Sequence, residues 1–306
     1  MTIRFDGRVA IVTGAGNGLG RSHALALAAR GAKVVVNDLG GARDGTGSSS
    51  AAAQEVVKQI KANGGEAIAN GANVADFEQV QAMVKDAMAA WGRVDILINN
   101  AGILRDKSFS KMDMADFKLV MDVHLMGAAY CCKAVWEIMK EQTYGRIVMT
   151  SSSSGLYGNF GQSNYSAAKL AVVGLMNSLA QEGEKYNVRV NSLAPAALTR
   201  MTEDIIPDPR AAAVMQPEPV SAGVLALCAE DAPNKFILCA GAGGYASAHL
   251  YETRGIYLPV EQQTPEAVVE NWARLDDPKG EERLSGALKQ TEKFIGYALA
   301  AHKSQS

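Results

Sequence analysis

Short runs of apolar residues recur along the chain, with longer amphipathic stretches between them. The runs fall at 9–13, 33–38, 66–73, 94–99, 146–151, 188–193 and 235–240. Each is close to continuous rather than alternating, as expected of parallel strands covered on both faces. Helix-length patterns occupy 19–30, 49–63, 77–91 and 165–186. This alternation predicts an α/β fold: a doubly wound (Rossmann-type) seven-stranded parallel sheet with a helical C-terminal extension. Right-handed crossovers then bring the strand C-termini, where ligands bind in such sheets, to one edge. Two segments break the rhythm. Residues 40–50, GGARDGTGSSS, read as a mobile, solvated loop between the second strand and its helix. After the seventh strand comes a tail punctuated by Pro259 and Pro265, with helical patterns at 265–275 and 281–301. There is no internal repeat and no second sheet, so one domain is expected over 1–306, with 242–306 as its extension.

Composition narrows the class. The 306 residues are 48% hydrophobic and 20% charged, enough to bury a full core. Thirty basic against 32 acidic residues leave a net charge of -2, which argues against nucleic acid or an anionic membrane as partner. No stretch of about 18 uninterrupted apolar residues predicts a membrane span. Cys131, Cys132, Cys228 and Cys239 are too few for a disulfide scaffold, and the adjacent pair has no zinc spacing. They read as reduced core thiols, and no metal site is expected. The opening MTIRFDGRVAIVTG reads as neither signal peptide nor transit sequence. The closing Ser304-Gln305-Ser306 is not a peroxisomal address. A soluble, cytoplasmic protein is expected.

The first strand runs into Thr13-Gly14-Ala15-Gly16-Asn17-Gly18-Leu19-Gly20, and a helix follows. Glycines in that context allow a tight turn and close backbone approach, leaving a helix N-terminus to face a pyrophosphate. Gly14, Asn17, Gly18, Leu19 and Gly20 are therefore candidate cofactor-binding residues. Asp38, at the end of the second strand, can accept both ribose hydroxyls of an adenosine and would repel a 2′-phosphate, favouring NAD over NADP. Arg21 and Arg43 lie near enough in sequence to keep NADP open.

Tyr165 and Lys169 stand four apart at a helix start, on one face. An ammonium beside a phenol stabilises tyrosinate and lowers its pKa towards neutrality, so the pair suits proton exchange with an alcohol or carbonyl oxygen. A bare Tyr-x-x-x-Lys is ordinarily a helix surface; downstream of a dinucleotide-type loop it reads as catalytic.

Taken together, TGAGNGLG, Asn99-Asn100-Ala101-Gly102 and Tyr165-x-x-x-Lys169 resemble the short-chain dehydrogenase/reductase family over about residues 5–245. The resemblance implies that Tyr165 is the acid/base, that Lys169 also holds the nicotinamide ribose, and that Ser152, thirteen positions before the tyrosine, polarises the substrate oxygen. Ser151, Ser153 and Ser154 are its neighbours. It further implies cofactor contacts at Asn73, Val74, Asn100, Ala101 and Gly102. Pro195 and Thr199 resemble the motif flanking the carboxamide, with Ala196 in place of the usual glycine. His124 stands where many members carry a relay asparagine; it titrates near neutrality and could support a proton relay.

Several segments resemble one branch in particular, the (3R)-hydroxyacyl-CoA dehydrogenase part of the peroxisomal multifunctional enzyme type 2. They are NDLGG with its insertion, His124, GLYGNFGQSNYSAAK and TPEAVVENW in the tail. That resemblance implies NAD-dependent oxidation of a (3R)-hydroxyacyl-CoA to the 3-ketoacyl-CoA by a stand-alone dehydrogenase. The alternative is a hydroxysteroid or other bulky secondary alcohol, with the pocket drawn from 199–216; a non-catalytic NAD-binding sensor is remote because the Tyr/Lys pair stands. Arg105, Lys107 and Arg200 are candidates for coenzyme A phosphates. A homodimer, or a homotetramer, is implied through helices at 111–140 and 165–186.

Overall fold

The computed structural model describes residues 2–197 and 208–303. Two compact units divide the chain, one ending at Ser247 and the other beginning at Ala248. In the first, strands and helices alternate as β1 (Val9–Thr13), α1 (Gly18–Ala29), β2 (Lys33–Asn37), α2 (Ala51–Ala62), β3 (Ala67–Asn70), α3 (Phe77–Trp91) and β4 (Ile96–Asn99). They continue as α4 (Met114–Met121), α5 (Gly127–Glu141), β5 (Gly145–Thr150), α6 (Ser153–Tyr157), α7 (Ser163–Gly183) and β6 (Val188–Ala196). The last are α8 (Pro209–Val214), α9 (Pro217–Leu227), β7 (Ile237–Gly241) and β8 (Gly244–Ala248).

The strands form one sheet in the order β3-β2-β1-β4-β5-β6-β7-β8. From β3 to β7 every pairing is parallel, with Ile11 of β1 between Val35 of β2 and Leu97 of β4. The chain order reverses between β1 and β4, and a sheet of this kind opens its binding crevice there, beyond the strand C-termini. The continuous apolar runs have the expected cause. Ala10, Val12, Val34, Val36, Ile96 and Ile98 pack with residues of α1, α2 and α9 in one core, while the intervening Val9, Ile11, Val35 and Leu97 are equally buried.

The eighth strand corrects the expected seven. β7 turns into β8 through Ala242 and Gly243, both at positive φ (48° and 79°). That pair makes the two-residue turn of a hairpin, so β8 runs antiparallel to β7. Its sequence GYASA is mostly exposed, so no apolar run announces it. β6 also runs three residues past its expected end, with Pro195 inside the strand opposite Ala240.

Local chemistry fixes the element ends. Asp76 caps α3 by accepting from the Glu78 and Gln79 amides, and Gly92, at φ 72°, stops it. Between α4 and α5 the helix is interrupted by a π-turn at Asp122–Met126, which contains His124. At the sheet edge opposite the strand C-termini, Asp95 is fully buried and bonded by Arg8 (3.0 Å), Arg93 (2.6 and 2.7 Å) and the Val9 amide (2.9 Å). Arg146, also fully buried, donates to the carbonyls of Gly145, Asn187, Ala229 and Glu230 at 2.7–2.9 Å. These two networks make that edge structural. Cys131, Cys132 and Cys228 are buried free thiols and Cys239 is half-buried.

The second unit holds α10 (Pro265–Glu270), α11 (Trp272–Leu275) and α12 (Ala287–Lys303). Expected helix 265–275 is broken at Asn271, and expected helix 281–301 begins only at Ala287. Glu282 is withheld from it by a two-way backbone bridge to Glu252 at 3.0 Å. Lys293 of α12 ties back to the Glu252 carboxylate at 2.9 Å. Among the described residues no helix is long and apolar enough to cross a membrane.

Candidate active site

A cleft opens beyond the C-terminal ends of β1, β2 and β4. Gly14, Asn17, Gly18, Leu19, Asp38, Asn73, Val74, Asn100, Ala101 and Gly102 line it. Ten of the residues expected from sequence therefore meet in one place. Gly20 does not line the cleft; it sets the distance between α1 and the loop. A Cβ at Gly20 would sit 2.2 Å from the Gly14 carbonyl oxygen, and one at Gly14, itself at φ +62°, would sit 2.8 Å from Ala101 Cα. Only bare backbone allows the loop, the helix and the β4 terminus to approach this closely. Asn100 fastens the arrangement by donating to the Thr13 and Gly14 carbonyls at 2.9 and 3.0 Å. The Thr13 hydroxyl accepts from the Asn100 and Ala101 amides at 3.0 and 3.1 Å. Sequence reading missed that role of Thr13, although the residue stands at the head of the glycine loop.

The start of α1 carries no side-chain cap and no acidic residue in its first turn. Its first amides and the positive end of its dipole are thus left to an anion, as a bound pyrophosphate requires. Asp38 is held by the Gly16 amide on one carboxylate oxygen and the Gly40 amide on the other, each at 2.7 Å. A carboxylate oxygen has two lone pairs, so both retain acceptor capacity for ribose hydroxyls. The donor set fits an adenine dinucleotide. The insertion 40–50 contributes Gly41, Ala42, Arg43 and Gly45 to the lining, so it is part of the cleft rather than a detached solvated loop.

Along the same sheet edge, α6 and α7 bring Ser152, Tyr165 and Lys169 together. The run of serines is resolved by geometry. Ser151 is fully buried and donates to the Lys169 carbonyl at 2.7 Å; Ser153 is exposed; Ser154 donates to Gln162 at 2.8 Å. Ser152 caps α6 by accepting from the Ser154 amide at 3.2 Å, and its hydroxyl lowers the proton affinity of the Tyr165 phenol. Lys169 is buried, 5.5 Å from the Tyr165 ring centre, and its ammonium donates to the Thr150 carbonyl at 2.7 Å. Pro195 lies near the end of β6, and Thr199 falls outside the described residues.

Two electrostatic expectations are corrected. Desolvation pushes Tyr165 up to about 12 against the lowering effect of Ser152, and Asp106 adds to the rise. Without ligand the tyrosine is thus a neutral phenol, not a partly ionised one. The expected helper is itself weakened, because burial lowers Lys169 to about 7. His124 does not titrate near neutrality. Desolvation first, then the Lys169 charge, hold its pKa well below 6.5. The ring stands edge-on to Tyr165 with centres 5.2 Å apart, and its Nε2 lies 2.8 Å from the Ile103 carbonyl and 3.1 Å from the Ile103 amide. A Cβ at Gly102 would lie 2.3 Å from the His124 ring, so this glycine makes room for it. His124 Nδ1, Asn99 Oδ1 and Thr150 Oγ1, all without a protein hydrogen-bond partner, sit among the residues lining one small cavity beside Lys169. The chemistry open to His124 is that of a neutral, fixed hydrogen-bonding group.

Arg105, a candidate for coenzyme A phosphates, has its guanidinium committed to the Asp44 carbonyl and to Asp116. Arg200 and the first half of the expected pocket segment 199–216, up to residue 207, lie outside the described residues.

The chain resembles known proteins in both sequence and fold. The family model described as short chain dehydrogenase matches residues 8–210. The chain is 48% identical over 296 residues to peroxisomal multifunctional enzyme A of Dictyostelium discoideum, covering 94% of this chain and 66% of that protein. It is 47% identical over 293 residues to a Mycobacterium tuberculosis protein named as a short-chain type dehydrogenase/reductase, covering 95% of this chain and 98% of that one. The structure of full-length peroxisomal multifunctional enzyme type 2 from Drosophila melanogaster superposes with a TM-score of 0.80 at 38% identity, covering 98% of this chain and 50% of that one. The chain thus spans about a third to two-thirds of the multifunctional proteins that it matches, and nearly all of the mycobacterial one. Fold, glycine loop and Tyr/Lys helix agree with these likenesses: the chain is an enzyme and belongs to the short-chain dehydrogenase family.

Proposed function

We propose that this enzyme oxidises a secondary alcohol to a ketone with NAD, and that the alcohol is a (3R)-hydroxyacyl-CoA, giving the 3-ketoacyl-CoA. The convergence of Ser152, Tyr165 and Lys169 on the sheet edge that carries the Asp38 cleft is the observation supporting this reading. The α1 N-terminus would hold the pyrophosphate, Asp38 the adenosine ribose, and Tyr165 and Lys169 the nicotinamide ribose. The bound nicotinamide supplies the hydride acceptor. Ser152 would hold the substrate oxygen by hydrogen bond, and Tyr165, once its own proton has left to solvent, would take the hydroxyl proton as the carbinol carbon gives up hydride. Because burial keeps Tyr165 protonated in the free protein, oxidation should accelerate with rising pH. Reduction of the ketone, which needs the phenol as acid, should not gain from that rise. Asp38 supports NAD because a 2′-phosphate would face a carboxylate. The multifunctional relatives, whose likeness covers the second unit as well, support the acyl-CoA substrate.

A homodimer formed through α5 and α7 completes the proposal. Leu170 on α7 is exposed, whereas Val173 is buried in the protomer's own core. A cytoplasmic location belongs to the proposal, whereas the multifunctional relatives are named peroxisomal. The test of the chemistry is Tyr165→Phe with NAD: kcat should fall by several orders of magnitude while NAD still binds. Retained turnover would remove Tyr165 from its role, and a higher kcat/KM with NADP than with NAD would remove Asp38 from its own.

A further inference from the structure

The insertion between β2 and α2 closes on itself and is fastened to the chain that leaves β4. Its neck is shut by the Ser49 amide donating to the Leu39 carbonyl at 2.9 Å. Inside it, the Ala42 amide donates to Thr46 at 2.8 Å, and the Asp44 carboxylate takes the Thr46 amide and hydroxyl at 3.0 and 2.7 Å. Such closed surface loops are frequently functional. Two bonds join it to the β4 exit: the Leu104 amide to the Arg43 carbonyl at 3.0 Å, and Arg105 Nε to the Asp44 carbonyl at 2.8 Å. The same guanidinium meets Asp116 of α4 at 2.6 Å, so one fork spans both elements. The backbone of Arg105 faces the other way chemically. Its carbonyl accepts from Asn164, a fully buried side chain whose own carbonyl accepts from the Tyr165 amide at 2.7 Å.

We infer that Arg105 is a positioning residue for cofactor binding. It pins the 40–50 loop over the adenosine end of the cleft and ties that loop to the helix bearing Tyr165. The inference rests on the dinucleotide reading above. Four loop residues line the cleft and the Gly40 amide holds Asp38, so the loop must be in place for the adenosine half to meet its full set of contacts. A planar guanidinium can serve the Asp44 carbonyl and Asp116 at once, which a lysine ammonium on a flexible stem does poorly.

The probe is ADP-ribose, which carries the adenosine and pyrophosphate but no nicotinamide. Its Kd is measured by calorimetry on the full chain, together with hydrogen exchange of the 40–50 amides and the melting temperature. Wild-type protein should protect those amides on binding. Arg105→Met should weaken binding about tenfold, the equivalent of one charge-assisted hydrogen bond, and speed exchange at Ala42, Gly45 and Ser49. Arg105→Lys should recover the pairing with Asp116 and the melting temperature but not the wild-type Kd. A Kd for Arg105→Met within twofold of wild type overturns the inference, and so does a Kd fully restored by lysine. If Arg105→Met fails to fold, unchanged exchange of the wild-type loop on saturation with ADP-ribose overturns it without a variant. Absence of any ADP-ribose binding by wild type overturns the dinucleotide reading itself, and the inference with it.

Discussion

Lowering the pH from 7 to 5 should destabilise the fold through histidines that cannot accept a proton where they are buried, and His23 gives the cleaner test. It lies on α1, fully buried, with Nδ1 2.7 Å from the Ser221 hydroxyl on α9, which in turn bonds Ser22 at 2.7 Å. Its Nε2 has no protein partner, and desolvation lowers its pKa from 6.5 to about 3. The unfolded chain takes up a proton below about pH 6.5 and the folded one does not until far lower, so the stability this group contributes is present above 6.5 and lost as pH falls towards 3. Between pH 7 and 5 that linkage amounts to about 2 kcal/mol for one histidine. Urea unfolding of wild type and His23→Gln at both pH values isolates it. The variant will be weaker at pH 7, since a buried network is disturbed, but its loss on going to pH 5 should be smaller than the wild-type loss by about 2 kcal/mol. Equal losses would mean that His23 binds a proton in the fold, and the burial argument would be wrong. Because His23 and Ser22 hold α1 against α9, NAD affinity of the variant also reports how far α1 placement depends on this contact.

Three further outcomes are expected. Gly20→Ala puts a methyl 2.2 Å from the Gly14 carbonyl, so helix and loop must part by about an ångström; NAD Kd should rise at least tenfold by calorimetry, and an unchanged Kd would contradict the close-approach role. Arg146→Met leaves four carbonyls, those of Gly145 and Ala229 in buried bonds, short of a donor and should cost about 3 kcal/mol in urea unfolding, with KM for NAD unmoved because the site lies at the opposite sheet edge. Sedimentation at micromolar concentration should return a dimer, and a monomer would reject pairing through α5 and α7.

Contiguous chemistry was the legible part of this chain. The loop from Gly14 to Gly20, Asp38 at a strand end and the four-residue step from Tyr165 to Lys169 each declare themselves locally, and the fold brings the first two to one cleft. Strand β1 and helix α3 fall where periodicity puts them because β1 is buried along its whole length and α3 buries Val80, Met83, Val84 and Ala87 at helical spacing. Strand β8 escaped because an exposed edge strand of mostly small residues has no apolar run, and Pro195 reads as a strand end although β6 continues beyond it. Among four consecutive serines the thirteen-residue step to Tyr165 singles out Ser152, and the fold agrees: Ser151 and Ser154 donate elsewhere and Ser153 is exposed. Proton affinities were the least legible property, since Tyr165, Lys169 and His124 owe theirs to burial that arises from distant segments. The role of Arg105 is hidden for the same reason: its partners Asp44 and Asp116 lie 61 and 11 residues away.

Initial rates of nicotinamide reduction, with NAD and each enantiomer of a medium-chain 3-hydroxyacyl-CoA, bear most directly on the proposed reaction. Turnover of the R form alone is expected, faster at pH 9 than at pH 7. No turnover of either enantiomer by protein that binds NAD normally would contradict the acyl-CoA assignment and turn attention to steroids and other bulky secondary alcohols.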